Sequence, residues 1–260
     1  MKLRDRTVVV TGGAAGIGKA LCERFHREGA KAVIVADIDG DGAREVARSV
    51  GSEGFACDVA SAADVARLID AAERRGGPID LYCSNAGIFG ARDPAGHVAG
   101  APDEAWQRAW SVNVMGHVHA ARVLVPRMKA RGGGAFLLTV SAAGLLSQIG
   151  NAVYSTTKHA AIGFAESLAI AHRDDNIRVF VLCPQGVDTR LLRDGGPGPQ
   201  HGDGVLSPDQ VADGVVAGLE REGFLILPHP QVADYMRRKA TDYDRWIGGM
   251  AKLRRAFVAD

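Results

Sequence analysis

The stretch TVVVTGGAAGIG, residues 7–18, decides the fold. Residues 7–11 are all β-branched, the composition of a buried strand. Gly12, Gly16 and Gly18 follow, allowing a tight turn and bringing bare backbone to the start of a helix predicted over 16–29. The first amides of a helix are unpaired and sit at the positive end of its dipole. A strand, a glycine turn and a helix in this order therefore make a cradle for a pyrophosphate. Asp37 ends the second predicted strand, 19 residues beyond Gly18. A carboxylate there accepts hydrogen bonds from adenosine ribose hydroxyls and repels a 2′-phosphate. Neither Lys nor Arg lies in the glycine loop or directly after Asp37. The expected cofactor is NAD, with NADP the alternative.

Outward from this unit, short apolar runs alternate with longer helical patterns. Strands are predicted at 7–11, 32–37, 54–57, 80–85, 135–140, 178–183 and 224–228. Helices are predicted at 16–29, 41–50, 61–75, 103–131, 151–173, 207–222 and 230–247. Near-continuous apolar strands separated by helices mean a mostly parallel sheet covered on both faces. The expected fold class is α/β, a doubly wound seven-stranded sheet in three layers. Residues 1–260 read as one domain, with a substrate loop or lid region over about 189–260. Two Gly/Pro-rich loops, 90–102 and 194–204, lie on the ligand side of such a sheet, the second as a candidate lid.

The chain has 260 residues, 47% hydrophobic and 23% charged, and a formal net charge of +1. That balance gives no electrostatic reason to expect nucleic acid or an anionic membrane as partner. The N-terminal apolar run is too short for a secretion signal. Cys22, Cys57, Cys83 and Cys183 are widely spaced and read as buried reduced thiols, so the expected location is the cytoplasm. His117 and His119, two apart on a helix, point away from each other, and no metal is expected.

The second decisive stretch is NAVYSTTKHA, residues 151–160. On a helix, Tyr154 and Lys158 are i and i+4 and share a face. An ammonium close to a phenol favours the phenolate, so the expectation is a lowered tyrosine pKa and a usable general base. Ser141 ends the fifth strand, where strand C-termini form the ligand crevice. Asn113 sits inside a long helix, an unfavourable place unless its side chain has a task. NAG, residues 85–87, closes the fourth strand.

In this order, TGGAAGIG, Asp37, NAG, Asn113, Ser141 and Tyr-x-x-x-Lys resemble the short-chain dehydrogenase/reductase family, from Thr7 to about Thr189. The resemblance implies a Rossmann fold and a tetrad of Asn113, Ser141, Tyr154 and Lys158. Tyr154 would exchange the proton and Ser141 would orient the reacting oxygen. Lys158 would lower the tyrosine pKa and bind the nicotinamide ribose, and Asn113 would support a water-linked relay. Cofactor contacts would come from Gly12, Ala15, Gly16, Ile17 and Gly18, from Asp37, and from Asp58 and Val59 at the adenine. Asn85, Ala86 and Gly87, then Tyr154 and Lys158, then Pro184, Val187 and Thr189, would complete them. One departure stands out: PQGVDT, residues 184–189, places Gln185 where the family usually has glycine.

The implied reaction interconverts a secondary alcohol and a ketone by hydride transfer. Candidate pocket residues are Ala143, Leu145, Gln148, Gln185 and Leu191, mostly small or apolar, which favours a largely apolar small-molecule substrate. Arg190 and Arg193 leave room for an anionic group. A sugar-nucleotide epimerase would resemble a different glycine pattern and carry a longer C-terminal domain. A non-catalytic nucleotide sensor would have no need of both Tyr154 and Lys158. The family commonly pairs its long helices, so a homodimer or homotetramer is expected.

Overall fold

The computed structural model describes residues 1–94, 97–196 and 198–257. Parts of both glycine-rich loops, at 95–96 and 197, and the last three residues of the expected domain lie outside them. The sheet contains β1 (Thr7–Thr11), β2 (Ala32–Asp37), β3 (Gly54–Ala56), β4 (Leu81–Ser84), β5 (Gly134–Thr139), β6 (Ile177–Leu182) and β7 (Leu225–Ile226). Their order is β3-β2-β1-β4-β5-β6-β7. Every pairing is parallel. The sheet is therefore wholly parallel rather than mostly so.

Strand alternation builds the two faces. Val8 and Val10 of β1 pack on one side with Leu21 and Phe25 of α1 (Gly16–Arg27), Val46 of α2 (Gly40–Ser49) and Val215, on a later helix. Val9, between them, packs on the other side with Leu68 of α3 (Ala62–Gly76) and with Leu124 and Ala165. Period-two side-chain direction in a strand makes this division automatic. The chain leaves β1 in opposite directions along the sheet, to β2 and to β4. Its crevice opens at the carboxyl ends of these two strands, the switch point of such folds.

The long helix predicted at 103–131 is α4 (Asp103–Trp110), a π turn (Ser111–Met115) and α5 (Gly116–Ala130) in unbroken succession. The next helix, α6 (Ala152–Ala171), starts where Asn151 accepts from the Tyr154 amide at 2.8 Å. A short α7 (Arg190–Gly195), absent from the sequence expectation, is capped by the Thr189 hydroxyl. In α8 (Pro208–Arg221), Ser207 and Gln210 form a reciprocal capping box.

The single helix expected at 230–247 is instead two, α9 (Gln231–Thr241) and α10 (Tyr243–Phe257). Asp242 is the break: its backbone is extended, and its carboxylate accepts from the Arg245 amide at 2.9 Å. An Asp at that position is an N-cap signal that outweighs the continuous polar-apolar pattern around it. Among the described residues no helix is long and apolar enough to cross a membrane. All four cysteines are buried and free.

Candidate active site

The crevice is one continuous cleft of about 1930 Å³. A single ligand typically occupies roughly 300–1,000 Å³, so this cleft has room for two molecules side by side. At one end lies the glycine loop. Gly12 is left-handed, with φ of 66°, and a Cβ there would stand 2.9 Å from the Ala86 Cα. At Gly18 a Cβ would overlap the Gly12 carbonyl and crowd the Asn85 amide. Ala15 contributes no side-chain cap to α1, so the first-turn amides remain open to the cleft. Asn85 fastens the two central strands, its Nδ2 donating to the Thr11 carbonyl at 3.0 Å and its backbone amide to the Thr11 hydroxyl at 3.0 Å.

Asp37 is held at the end of β2 by the amides of Ala14, at 3.1 Å, and Asp39, at 3.0 Å. Both donors fix the carboxylate without neutralising it. Asp58 accepts from the Ala60 amide at 3.0 Å and, with Val59, lines the same end of the cleft. Bare glycine backbone, open helix amides and a fixed carboxylate 23 positions from Ala14 in sequence fit a dinucleotide such as NAD(H). Gly87, Pro184, Val187 and Thr189 line the cleft further along, where Gly16 faces the Thr189 side chain.

The middle of the cleft holds Ser141, Tyr154 and Lys158. The Ser141 hydroxyl accepts from the Ala143 amide at 3.1 Å and donates to the Pro184 carbonyl at 3.4 Å. Lys158 Nζ lies 5.5 Å from the Tyr154 ring centroid and donates to the Thr139 carbonyl at 3.3 Å. Phe89 packs on the tyrosine, with ring centroids 4.9 Å apart. The expected direction of the tyrosine shift does not hold in the protein alone. Burial dominates, pushing Tyr154 up to about 12, while the Ser141 hydroxyl works against it and favours the phenolate. Burial likewise pushes Lys158 down to about 8. A desolvated ammonium over a desolvated phenol costs more in lost hydration than the pair recovers.

Asn113 sits behind the cleft wall, fully buried. The π turn brings its side chain inward: Nδ2 donates to the Ile88 carbonyl at 2.9 Å and the Thr157 hydroxyl at 3.1 Å, and Oδ1 accepts from the Ile88 amide at 2.9 Å. This is the task that its unfavourable helical position suggested. It ties the loop after β4 to α6.

Of the expected pocket residues, Ala143, Gln148, Gln185 and Leu191 line the cleft. Leu145 does not: it packs between the core and α9, and Leu146 lines the cleft in its place. Both leucines follow the short 3₁₀ turn Ala142–Gly144, and sequence spacing does not reveal which of the two faces the cleft. The Gln185 amide N–H donates to His229 Nδ1 at 3.1 Å, a pairing of loops distant in sequence. Phe89, Tyr235, Trp246 and Met250 also line the cleft. Their apolar character is legible in sequence, but their direction is not.

The family model described as "short chain dehydrogenase" matches residues 6–198. A 1-deoxy-11-beta-hydroxypentalenate dehydrogenase of Streptomyces exfoliatus is 35% identical over 255 residues, spanning 95% of this chain and 91% of that protein. A short chain dehydrogenase/reductase from Burkholderia phymatum, solved in complex with NAD, shares the fold with a TM-score of 0.84 at 24% identity, over 94% of this chain and 96% of that one. A 7 alpha-hydroxysteroid dehydrogenase, solved with NADH and 7-oxo glycochenodeoxycholic acid, gives a TM-score of 0.78 at 26% identity, over 87% and 93%. With the glycine cradle, the parallel sheet and the matched span in hand, the chain belongs to the short-chain dehydrogenase/reductase family and is an NAD(P)-dependent oxidoreductase acting on CH–OH groups.

Proposed function

We propose that the chain uses NAD to interconvert a secondary alcohol and a ketone on a largely apolar small molecule, with Tyr154 as the general acid/base. The observation that carries this reading is the convergence of Tyr154, Ser141 and Lys158 on one wall of the cleft that begins at the glycine loop. When bound, the cofactor accepts or delivers a hydride at its nicotinamide ring. Tyr154 takes the hydroxyl proton during oxidation and returns it during reduction. The Ser141 hydroxyl, fixed between the Ala143 amide and the Pro184 carbonyl, holds the reacting oxygen beside it. Lys158, on the same helical face, supplies positive charge to the phenolate and a donor to the cofactor ribose. Asn113 positions the Ile88 loop against α6 and supports a water-linked proton relay from there.

NAD is preferred over NADP because the fixed Asp37 carboxylate repels a 2′-phosphate and the next residue, Ile38, offers no compensating cation. The NAD and NADH bound in the two solved relatives support the same reading. Residues from about 189 onward form the substrate region. The dehydrogenase named for hydroxypentalenate and the hydroxysteroid dehydrogenase both point to an alicyclic alcohol. Exposed Trp110 on α4 and Ile170 on α6 support pairing of these helices between subunits, and light scattering that gives a monomer at micromolar concentration sinks that part. Four free buried cysteines favour the cytoplasm.

The test is cofactor reduction followed by absorbance across secondary alcohols, with NAD and NADP, for the wild type and Tyr154→Phe. General acid/base catalysis contributes roughly 10²–10⁴ in rate, and the variant is expected to lose that much while still binding NAD. Equal turnover by both proteins refutes the role of Tyr154.

A further inference from the structure

β6 and β7 run parallel with Leu182 opposite Ile226. Three residues beyond each of these partners stand Gln185 and His229, so equal spacing from a paired position brings the two together. His229 is 2% exposed, and its own carbonyl accepts from the Val232 amide at 3.2 Å in the turn that opens α9. The Gln185 N–H donating to His229 Nδ1 fixes the protonation state of the ring. A backbone N–H can only donate, so Nδ1 accepts and the ring hydrogen sits on Nε2. An imidazolium has hydrogen on both nitrogens and no acceptor, so protonation sets two donors face to face.

The Gln185 N–H belongs to the same peptide unit as the Pro184 carbonyl. That carbonyl accepts from the Ala142 amide at 2.9 Å and from the Ser141 hydroxyl at 3.4 Å. The peptide is planar and trans, so its N–H and C=O point in opposite directions. His229 and the Ser141 turn therefore grip the two sides of one rigid plate. Beyond the plate, the Gly186 amide donates to the Gln200 carbonyl at 3.1 Å, and the Gly186 carbonyl accepts from the Leu206 amide at 3.0 Å. These later bonds leave the tilt of the Pro184–Gln185 peptide to its two neighbours.

We propose that neutral His229 is a positioning residue for Ser141: through the Pro184–Gln185 peptide it aims the carbonyl that receives the Ser141 hydroxyl, and protonation of the ring releases that peptide. This rests on the oxidoreductase reading above and adds a control on its acid side. Burial lowers the ring pKa from 6.5, and the Gly204 backbone, the Asp203 carboxylate and the Gly186 backbone oppose it. Asp203, which accepts from Tyr235 of α9 at 3.0 Å, is the charged group facing the ring among the described residues. Because the folded-state pKa is depressed, the grip is complete above 6.5 and is lost as pH falls through the folded value.

The test uses the whole chain as wild type, His229→Asn and His229→Leu. Asparagine carries an acceptor oxygen at the position of Nδ1 and does not titrate; leucine offers no acceptor. Amide hydrogen exchange of residues 184–189, corrected for the intrinsic rate, is followed from pH 7.5 to 4.5 with no ligand added. Wild type should lose about fivefold of its protection toward acid, the worth of one backbone hydrogen bond. His229→Asn should keep that protection throughout, and His229→Leu should lack it throughout. Asp188, on the same segment and paired with Arg193, is common to all three proteins and cancels. Initial rates of cyclohexanone reduction by NADH should fall toward acid in wild type but not in His229→Asn. His229→Leu should be slow in kcat at every pH with its KM for NADH unchanged. Wild-type protection that ignores pH, a leucine variant protected like wild type, or an asparagine variant that keeps the acid loss overturns the proposal. The expected exchange pattern without reduction of any ketone upholds the grip on the peptide and refutes the reaction instead.

Discussion

Replacing Lys158 with methionine should abolish turnover and make the protein more stable. The ammonium is buried, and desolvation lowers its pKa from 10.5 to about 8. At 1.36 kcal/mol per pH unit, the folded state at pH 7 carries a penalty of about 3 kcal/mol for holding that charge. Methionine fills a similar volume without it. Against this, the Thr139 carbonyl loses a donor at 3.3 Å, a cost of about 1 kcal/mol. The net expectation is a gain of about 2 kcal/mol at pH 7. The sign with pH follows from the direction of the shift. The unfolded chain keeps its lysine proton up to 10.5 while the folded chain loses it near 8, so the wild-type penalty is complete below 8 and fades as pH rises. About half should remain near pH 9. Buried thiols and phenols shape the pH curve of either protein: burial raises Cys22, Cys57 and Cys183, as well as Tyr154, and each removes stability as pH climbs. Those groups are common to both proteins, so the difference between wild type and Lys158→Met isolates the lysine. Urea denaturation at pH 7, 8 and 9 measures it. A variant less stable than wild type at pH 7, or a difference that does not shrink toward pH 9, refutes the reasoning.

Gly18→Ala should abolish NAD binding by calorimetry and lower the thermal midpoint, because its Cβ overlaps the Gly12 carbonyl in the tightest part of the loop. Asp37→Ser with Ile38→Arg should reverse the cofactor preference, raising the NADP-to-NAD ratio of kcat/KM at least a hundredfold; an unchanged ratio removes Asp37 from that role. In pH–rate profiles, the oxidation direction should rise toward alkaline pH and the reduction direction should fall. Burial holds Tyr154 protonated, up to about 12, and oxidation needs the phenolate while reduction needs the phenol. Parallel profiles in the two directions contradict a tyrosine base.

Local regularities were legible because backbone geometry repeats along the chain. Five β-branched residues before a glycine turn, Asp37 at the next strand end, and Tyr154 four residues before Lys158 are statements about neighbours, and neighbours obey fixed periods. The parallel direction of the strands followed from their alternation with helices, whereas their order did not. Asn113 was legible as an anomaly, a poor helix residue in a helix, though not as the clasp between Ile88 and Thr157 that it forms. Local sequence thus carries the fold, the glycine turn at the head of the cleft and the identity of the side chains at its centre. Tertiary structure alone decided which leucine, 145 or 146, turns toward the cleft, that Asp242 splits the last helix, and that Trp246 and Met250 of α10 line the cleft. It also decided that burial outweighs the nearby ammonium at Tyr154. The physical reason is common to all of these: phase, direction and desolvation depend on groups far away in sequence, which no local period encodes.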